Sequence, residues 1–465
     1  MIERKKALGI LLVLAMVLAI FAGCTTNESN SNQDSVQSST ASGGQESEKT
    51  GSKPVTIKVW HLHAEDNEKT TPHQRMLEWA KEFNATNKSN ITVEVSGAKT
   101  ADVILTAVSS GEIPDIFMNY WNNTSTWADK GALLDLTDYV NNDKEFDKDD
   151  IMPAAWERGT YNGRIYAVPN SYSTSFLVYN KKMLREAGYD TFPATMEEMI
   201  KASEALTVVE KDGTITQMGI IPNYPWLDNV LWPVAFGAEW INSENKITMD
   251  SEAMKAAYQW QIDIYNKYGY DNIIRFKDTL GARGTETDPM LTGKVAMYFT
   301  AESVLPSLEE CAGDVEWGVA PIPYPEAHPE LKGSYMITSN VWQINAKTAH
   351  PDQAWEVLAS LTSKETMKKL SEGNYNNGAF YSRRTAIEYV KNELDVSETM
   401  KEVAEILLSD NIRGFPMSAY INEYLTAIND EMNLCFSGEQ NIDQAVAKII
   451  EKVQPLADKY PIVSK

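Results

Sequence analysis

"VTIKVWHLHAEDNEKTTPHQRMLEWAKEFNATNKSNITVEV" (residues 55–95) decides the fold. Val55 to Trp60 alternate apolar and polar and are rich in β-branched side chains, which predicts a strand. Met76, Ala80 and Phe83 then fall at helical spacing. Ile91 to Val95 alternate again. Downstream, residues 100–110 predict a helix stopped by Gly111 and Pro114, and "DIFM" (115–118) predicts a buried strand. A strand–helix–strand–helix–strand rhythm predicts an open, mostly parallel α/β sheet.

The same reading extends outward. "YAVPNSYSTSFLVYN" (166–180) predicts two short strands broken by Pro169 and small polar residues. Pro193 and the capping box Thr195-x-x-Glu198 open a helix to about Leu206. "KVAMYF" (294–299), "WGVAPIP" (317–323) and "NVWQI" (340–344) predict further strands. Pro351 opens a helix, Thr362-x-x-Glu365 caps the next, and from about 387 onward the chain reads as mostly helical. There is no internal repeat.

In open α/β sheets ligands sit outside the carboxyl ends of strands. The stretches at those ends are "HLHAED" (61–66), "NYWNN" (119–123) and "PNSYSTS" (169–175). They set aromatic rings beside amides, hydroxyls and carboxylates. Rings cover the C–H faces of a sugar, while the polar groups pair with its hydroxyls. A small-molecule solute, most naturally a carbohydrate, is therefore expected.

Composition narrows the alternatives. The 465 residues carry a formal charge of −23, which repels nucleic acid and anionic lipid. Roughly 410 residues follow position 53, more than one core usually accommodates, so two lobes are expected. No Gly-x-Ser-x-Gly, His-Glu-x-x-His or P-loop motif occurs; the many carboxylates still permit a glycosidase-like pair, so an extracellular glycoside-acting enzyme is the lesser alternative to the expected binder, and no cofactor is expected. His61 and His63 face one side of an extended chain, which keeps a metal as the alternative solute. "DKDD" (147–150) lacks the pattern of a calcium loop and predicts a solvated helix start. Cys311 and Cys435 permit one disulfide by count, but small buried side chains are the simpler expectation.

The amino end reads differently. Arg4, Lys5 and Lys6 precede an uncharged run from Ala7 to Gly23, suited to the apolar core of a signal peptide. Residues 25–53 then offer only Val36 and Ala41 as apolar side chains, which predicts a disordered tether. Such a chain spans roughly 30 Å root-mean-square.

Two resemblances follow. "FAGC" (21–24) resembles a lipoprotein lipobox, which implies cleavage before Cys24, a diacylglyceryl group on its sulfur, and an extracytoplasmic protein held to the cell membrane by that anchor alone. From Thr56 to about Gln454 the chain resembles the extracellular solute-binding proteins of bacterial ABC importers, in the carbohydrate-binding group of the maltose-binding protein family. The matching stretches are "GEIPDIFMN", "GALLDLTDYV", "YNGRIYAVPNSYSTSFLVYNKKMLREAGYDTFPATMEEM", "LTGKVAMYF", "PDQAWEVLASLTSKE" and "SGEQNIDQAVAKI".

This second resemblance implies a two-lobed, periplasmic-binding-protein-like α/β fold with a ligand cleft between lobes and a hinge of crossing segments. It implies a monomer that delivers its solute to ABC permease subunits. The expected division is a signal peptide at 1–23, a lipidated tether at 24–53, a first lobe of 54–171 plus about 340–375, and a second lobe of 172–339 plus about 376–465. Carried over by position, the implied solute-binding residues are Glu65, Asn119, Tyr120, Trp121, Asn122, Tyr172, Ser173, Trp226, Asp228, Asn229, Glu302 and Tyr420.

Overall fold

The structure is a computed structural model, and it describes residues 54–65, 71–110, 114–225, 229–374 and 380–462. The expected signal peptide, Cys24 and tether lie outside the described residues, as do Trp226 and Asp228. The strands that position the site are β1 (Val55–Trp60), β2 (Ile91–Ser96), β3 (Ile116–Tyr120), β4 (Val168–Pro169), β5 (Ser173–Thr174) and β6 (Phe176–Asn180). They continue with β7 (Met297–Thr300), β8 (Trp317–Ala320), β9 (Tyr335–Thr338), β10 (Asn340–Ile344) and β11 (Ile412–Arg413).

The first sheet has the order β2-β1-β3-β10-β4. β1 pairs in parallel with both β2 and β3. The helices Pro72–Thr86 and Ala101–Ser110 make the crossovers that parallel pairing requires. Period-2 alternation divides β3 between two layers. Ile116 and Met118 join the main core, while Phe117 packs with Ile104, Trp127 and Leu133. Met76, Ala80 and Phe83 are buried on the first crossover helix, together with His73 and Trp79.

β10 departs from the expected parallel sheet. It pairs antiparallel with β3 and with β4. The reason is its route: it follows β9 after Ser339 alone, with no helix to turn it around. The second sheet has the order β7-β6-β8, and both of its pairings are antiparallel.

A third, small sheet lies on the path between these two. β5 pairs antiparallel with β9, and β9 pairs in parallel with β11. The chain runs from the first sheet through β5 into β6, and later returns from β8 through β9 into β10. A further segment joins the crossing. Tyr172 N–H donates to the Phe380 carbonyl at 2.9 Å, and Ser382 N–H donates to the Asn170 carbonyl at 2.9 Å. The fold is therefore a two-lobed α/β arrangement with short extended segments at the crossing.

Several local readings change. The 166–180 stretch forms β4, β5 and β6 rather than two strands. Thr362 closes a helix by donating to the Leu358 carbonyl at 2.7 Å, and Ser363 is the side chain that accepts from Thr366 N–H at 3.2 Å. In "DKDD", Asp150 is buried rather than solvated, and it accepts from Thr385 N–H and Oγ1 at 3.1 and 2.8 Å. Cys311 and Cys435 are both free; Cys435 is buried, but Cys311 is only partly so. Beyond about 387 the chain is mostly helical, ending in Ile421–Phe436 and Ile442–Lys459. No described helix is long and apolar enough to cross a membrane.

Candidate functional site

A cavity of about 630 Å³ opens where the carboxyl ends of β1, β3 and β7 meet the crossing segments. The loop after β1 contributes His63 and Ala64, and that after β3 contributes Tyr120 and Trp121. Glu302 and Ser303 come from the turn after β7, in the other half. The crossings supply Asn170, Ser171 and Ser173 on one side and Thr338, Ser339 and Asn340 on another. Pro72, Phe380 and Tyr381 complete the wall.

Hydrogen bonds lock this wall from behind. Asn119 is fully buried: its amide donates to Gln343 Oε1 at 3.1 Å, and its Oδ1 accepts from Tyr120 N–H and Asn123 Nδ2 at 2.9 Å each. Gln343 in turn donates to Thr124 Oγ1 at 3.1 Å. Trp121 N–H donates to the Ser339 carbonyl at 3.2 Å. Ser339 Oγ donates to the Ser171 carbonyl at 2.6 Å, tying two crossings together. The aromatic loop after β3 is thus held by buried amides, whose bonds leave no lone polar atom to desolvate.

Glu302 is 5% exposed and accepts from Ser173 Oγ at 2.9 Å. Burial pushes its carboxyl up to about 7, against the lowering effect of the Ser173 bond and its own backbone N–H. Near neutral pH it exchanges between a donor and a pure acceptor. Outside the lining, just after β1, His61 is fully buried and shares a 2.9 Å hydrogen bond from Nε2 with His73 Nδ1. Burial, then the neighbouring His63, His73 and Lys99, pulls His61 down to about 3. His63 is lowered by burial and by His73. His61 is therefore neutral at physiological pH. Among the described residues no group of three His, Cys, Asp or Glu side chains is placed to hold a metal ion.

The residues singled out from sequence fall into distinct places. Tyr120, Trp121, Ser173 and Glu302 line the cavity. Glu65 lies just outside the lining and accepts from Gly97 N–H at 2.6 Å, where any Cβ on Gly97 would collide with it and with His61. Asn119 supports the wall from within. Asn122 donates to Asn422 Oδ1 at 2.7 Å, fastening the loop to the helix Ile421–Phe436.

Tyr172 and Tyr420 do not face the cavity: both are buried in the main core, at 1% and 2% exposure. Strand alternation turns Tyr172 inward while Ser171 and Ser173 face out. Asn229 is also buried, donating to Asn429 Oδ1 at 3.0 Å, while its carbonyl accepts from Tyr258 at 2.6 Å. The sequence reading missed Phe380, Tyr381 and Asn340 as lining residues. Only the pairing of 380–382 with 170–172 brings the first two to the site, and no local pattern announces it.

Trp121 has a second role. It is half-buried against the main core, and the Arg158 guanidinium lies 5.1 Å from its ring centroid. Neither face of that loop is simply solvent.

Comparison with known proteins identifies the fold and the family. The sequence profile of the bacterial extracellular solute-binding protein family matches residues 69–368. A binding protein of Brucella abortus (strain 2308) is 26% identical over 281 residues, 58% of this chain and 64% of its own length. The diacetylchitobiose-binding protein DasA of Streptomyces coelicolor is 25% identical over 190 residues, 41% of this chain and 42% of its own. The alignments thus span less than two thirds of these curated relatives.

Among solved structures, the protein CpMnBP1 with mannobiose bound superposes with a TM-score of 0.69 at 23% identity, covering 86% of this chain and 100% of that one. The sugar-binding protein MalE of Xanthomonas citri gives a TM-score of 0.70 at 18% identity over 87% and 98%. These likenesses carry the fold. The profile match over most of the chain carries the family: this chain belongs to the bacterial extracellular solute-binding proteins.

Proposed function

We propose that this protein captures a saccharide outside the cytoplasm and delivers it to the permease of an ABC importer, acting by binding and not by catalysis. The observation that carries this reading is the cavity itself. It sits between the two halves, has a volume usual for small-molecule sites, and sets four aromatic rings and the His63 imidazole beside hydroxyls, amides and one carboxyl. Trp121 and Tyr120 stack on sugar faces, while Ser173 and Glu302 pair with hydroxyls. Asn119, Asn122 and Glu65 hold the loops that present them. Trp226 and Asp228 stay in the proposed solute-binding set on the sequence reading alone.

The proposal includes the remaining sequence expectations. The lobes divide at the crossings, as 54–171 with about 340–375 and 172–339 with about 376–465. The protein works as a monomer, anchored through lipid on Cys24. The relatives named for mannobiose and diacetylchitobiose support a short oligosaccharide.

A thermal-shift screen of residues 54–465 against mannobiose, mannotriose, maltose, maltotriose, diacetylchitobiose and other saccharides tests the reading. A ligand at about 100 times its Kd stabilises by about 2.7 kcal/mol through mass action, so a bound sugar raises Tm by several degrees. A flat response across the panel, with a shift from some non-sugar solute, would falsify the saccharide assignment.

A further inference from the structure

Arg158 lies on the helix Pro153–Gly159 with its side chain 2% exposed, and it is not part of the cavity lining. Its partners are few. Nη1 donates to the Phe415 carbonyl at 2.6 Å. Nη2 meets the carboxylate of Glu157 at 3.4 Å, but that side chain is 55% exposed. Nε has no hydrogen-bond partner among the described residues. Burial lowers the guanidinium to about 10, so it remains a cation at neutral pH. A buried cation so thinly paired is unfavourable unless something else attracts it. The Trp121 ring, 5.1 Å away, supplies that attraction by cation–π stacking.

The surrounding backbone is shaped around this group. Gly414 passes so close that any Cβ there would overlap the guanidinium. Residues 412–413 form β11, which pairs with β9, and β9 runs on into the lining residues Thr338 and Ser339. Ser339 accepts the Trp121 N–H. Arg158 therefore stands between the ring that lines the cavity and the strands of the crossing.

We propose that Arg158 is a positioning residue for the solute platform: it fixes the plane of Trp121 from behind and registers it against residues 413–415, acting on the solute only through that ring. The inference rests on the reading that Trp121 meets the solute.

Two readouts test it. The first needs no solute. The indole N–H resonance of Trp121, assigned by its loss in Trp121→Phe, moves in Arg158→Lys, which keeps the charge but lacks the planar fork. Gly414→Ala displaces the guanidinium without removing it, and serves as the second variant if Arg158→Lys does not fold. The second readout is titration calorimetry with the tightest binder among mannobiose, maltose, maltotriose and diacetylchitobiose. Arg158→Lys weakens binding about fivefold or more, and adds nothing in a Trp121→Ala background.

A resonance that stays put in a folded variant overturns the proposal. So does an equal loss of affinity with and without Trp121. If Trp121→Ala itself binds normally, the platform reading fails instead. If no saccharide in the panel binds, the sugar reading fails, and the resonance still decides the role of Arg158.

Discussion

Arg158 and Arg383 are both arginines sealed from water, and their partners differ completely. Arg383 is 0% exposed, and every one of its nitrogens is used: Nε donates to the Thr362 carbonyl at 2.6 Å, Nη1 to the Asp147 carbonyl at 2.8 Å, and Nη2 to the Phe146 carbonyl at 2.7 Å. Asp150, also buried, stands 3.5 Å from Nη1 as the counter-charge. That set ties the segment after Phe380 to loops of the first half. Arg158 has one carbonyl, one surface carboxylate and the ring of Trp121. The comparison teaches that burial alone does not assign a role. The saturated partners of Arg383 make it a structural brace, whereas the thinly paired Arg158 is the one our proposal assigns to the site.

The largest effect is expected at Arg383. Arg383→Leu removes the counter-charge of the buried Asp150 and takes a donor from each of three carbonyls, so stability falls by about 3–5 kcal/mol. A urea melt measures it, and the fraction that stays folded binds solute with unchanged affinity. A variant that unfolds normally but binds poorly would place Arg383 at the site instead.

A smaller effect separates Glu302 from the buried His61. An unfolded glutamate titrates near 4.5, and the folded one near 7. Between those values the native state holds more protons than the unfolded state, so stability is greatest below about 4.5 and declines as pH rises through 7. Glu302→Gln removes that decline: it exceeds wild type by about 1–3 kcal/mol at pH 8 and matches it at pH 4. His61 acts with the opposite sign. Its value of about 3 lies below the ordinary 6.5, so its contribution is whole above 6.5 and is lost as pH falls toward 3. Parallel melts from pH 4 to 8 check both limbs. An unchanged difference between Glu302→Gln and wild type across that range contradicts the assignment.

The smallest expected change is at Asn122. Its bond to Asn422 fastens the aromatic loop but leaves the core intact. Asn122→Ala should lower stability by about 1 kcal/mol, the usual net value of one hydrogen bond, with a modest loss of affinity. A loss of affinity as large as that of Trp121→Ala would show Asn122 touching the solute itself.

Much of the fold was legible from short local patterns. Val55–Trp60 and Asn340–Ile344 appear with the bounds their alternation predicted. Alternation fixes which residues point inward, but not the direction of a strand, and the antiparallel β10 follows from a route through the crossing that no local pattern records. Thr362 and Ser363 are adjacent hydroxyls, either able to cap, and only the preceding helix's end decides between them. Asp150 looked solvated because its partner lies more than two hundred residues away.

At the site, the loop after β3 announced itself through Tyr120 and Trp121 in a run of amides. Tyr172 misled because an aromatic in a polar crossing looks like a ligand contact, while its register sends it into the core. Phe380 and Arg158 stand in no motif. Each gains its place from a backbone pairing or a stack that exists only once the chain has folded.

On our proposal, the Trp121 ring, backed by Arg158, is the surface on which the solute rests. Titration calorimetry of wild type and Trp121→Ala with the best saccharide of the screen, alongside urea melts of both without ligand, tests it directly. The ring buries apolar area at about 25 cal/mol per Å², so the variant should bind more weakly by about 2 kcal/mol or more. Its stability should change by less than that, because the ring is only half-buried against the core. Normal affinity in a protein that unfolds at much lower urea would show instead that Trp121 belongs to the core and that the solute rests elsewhere.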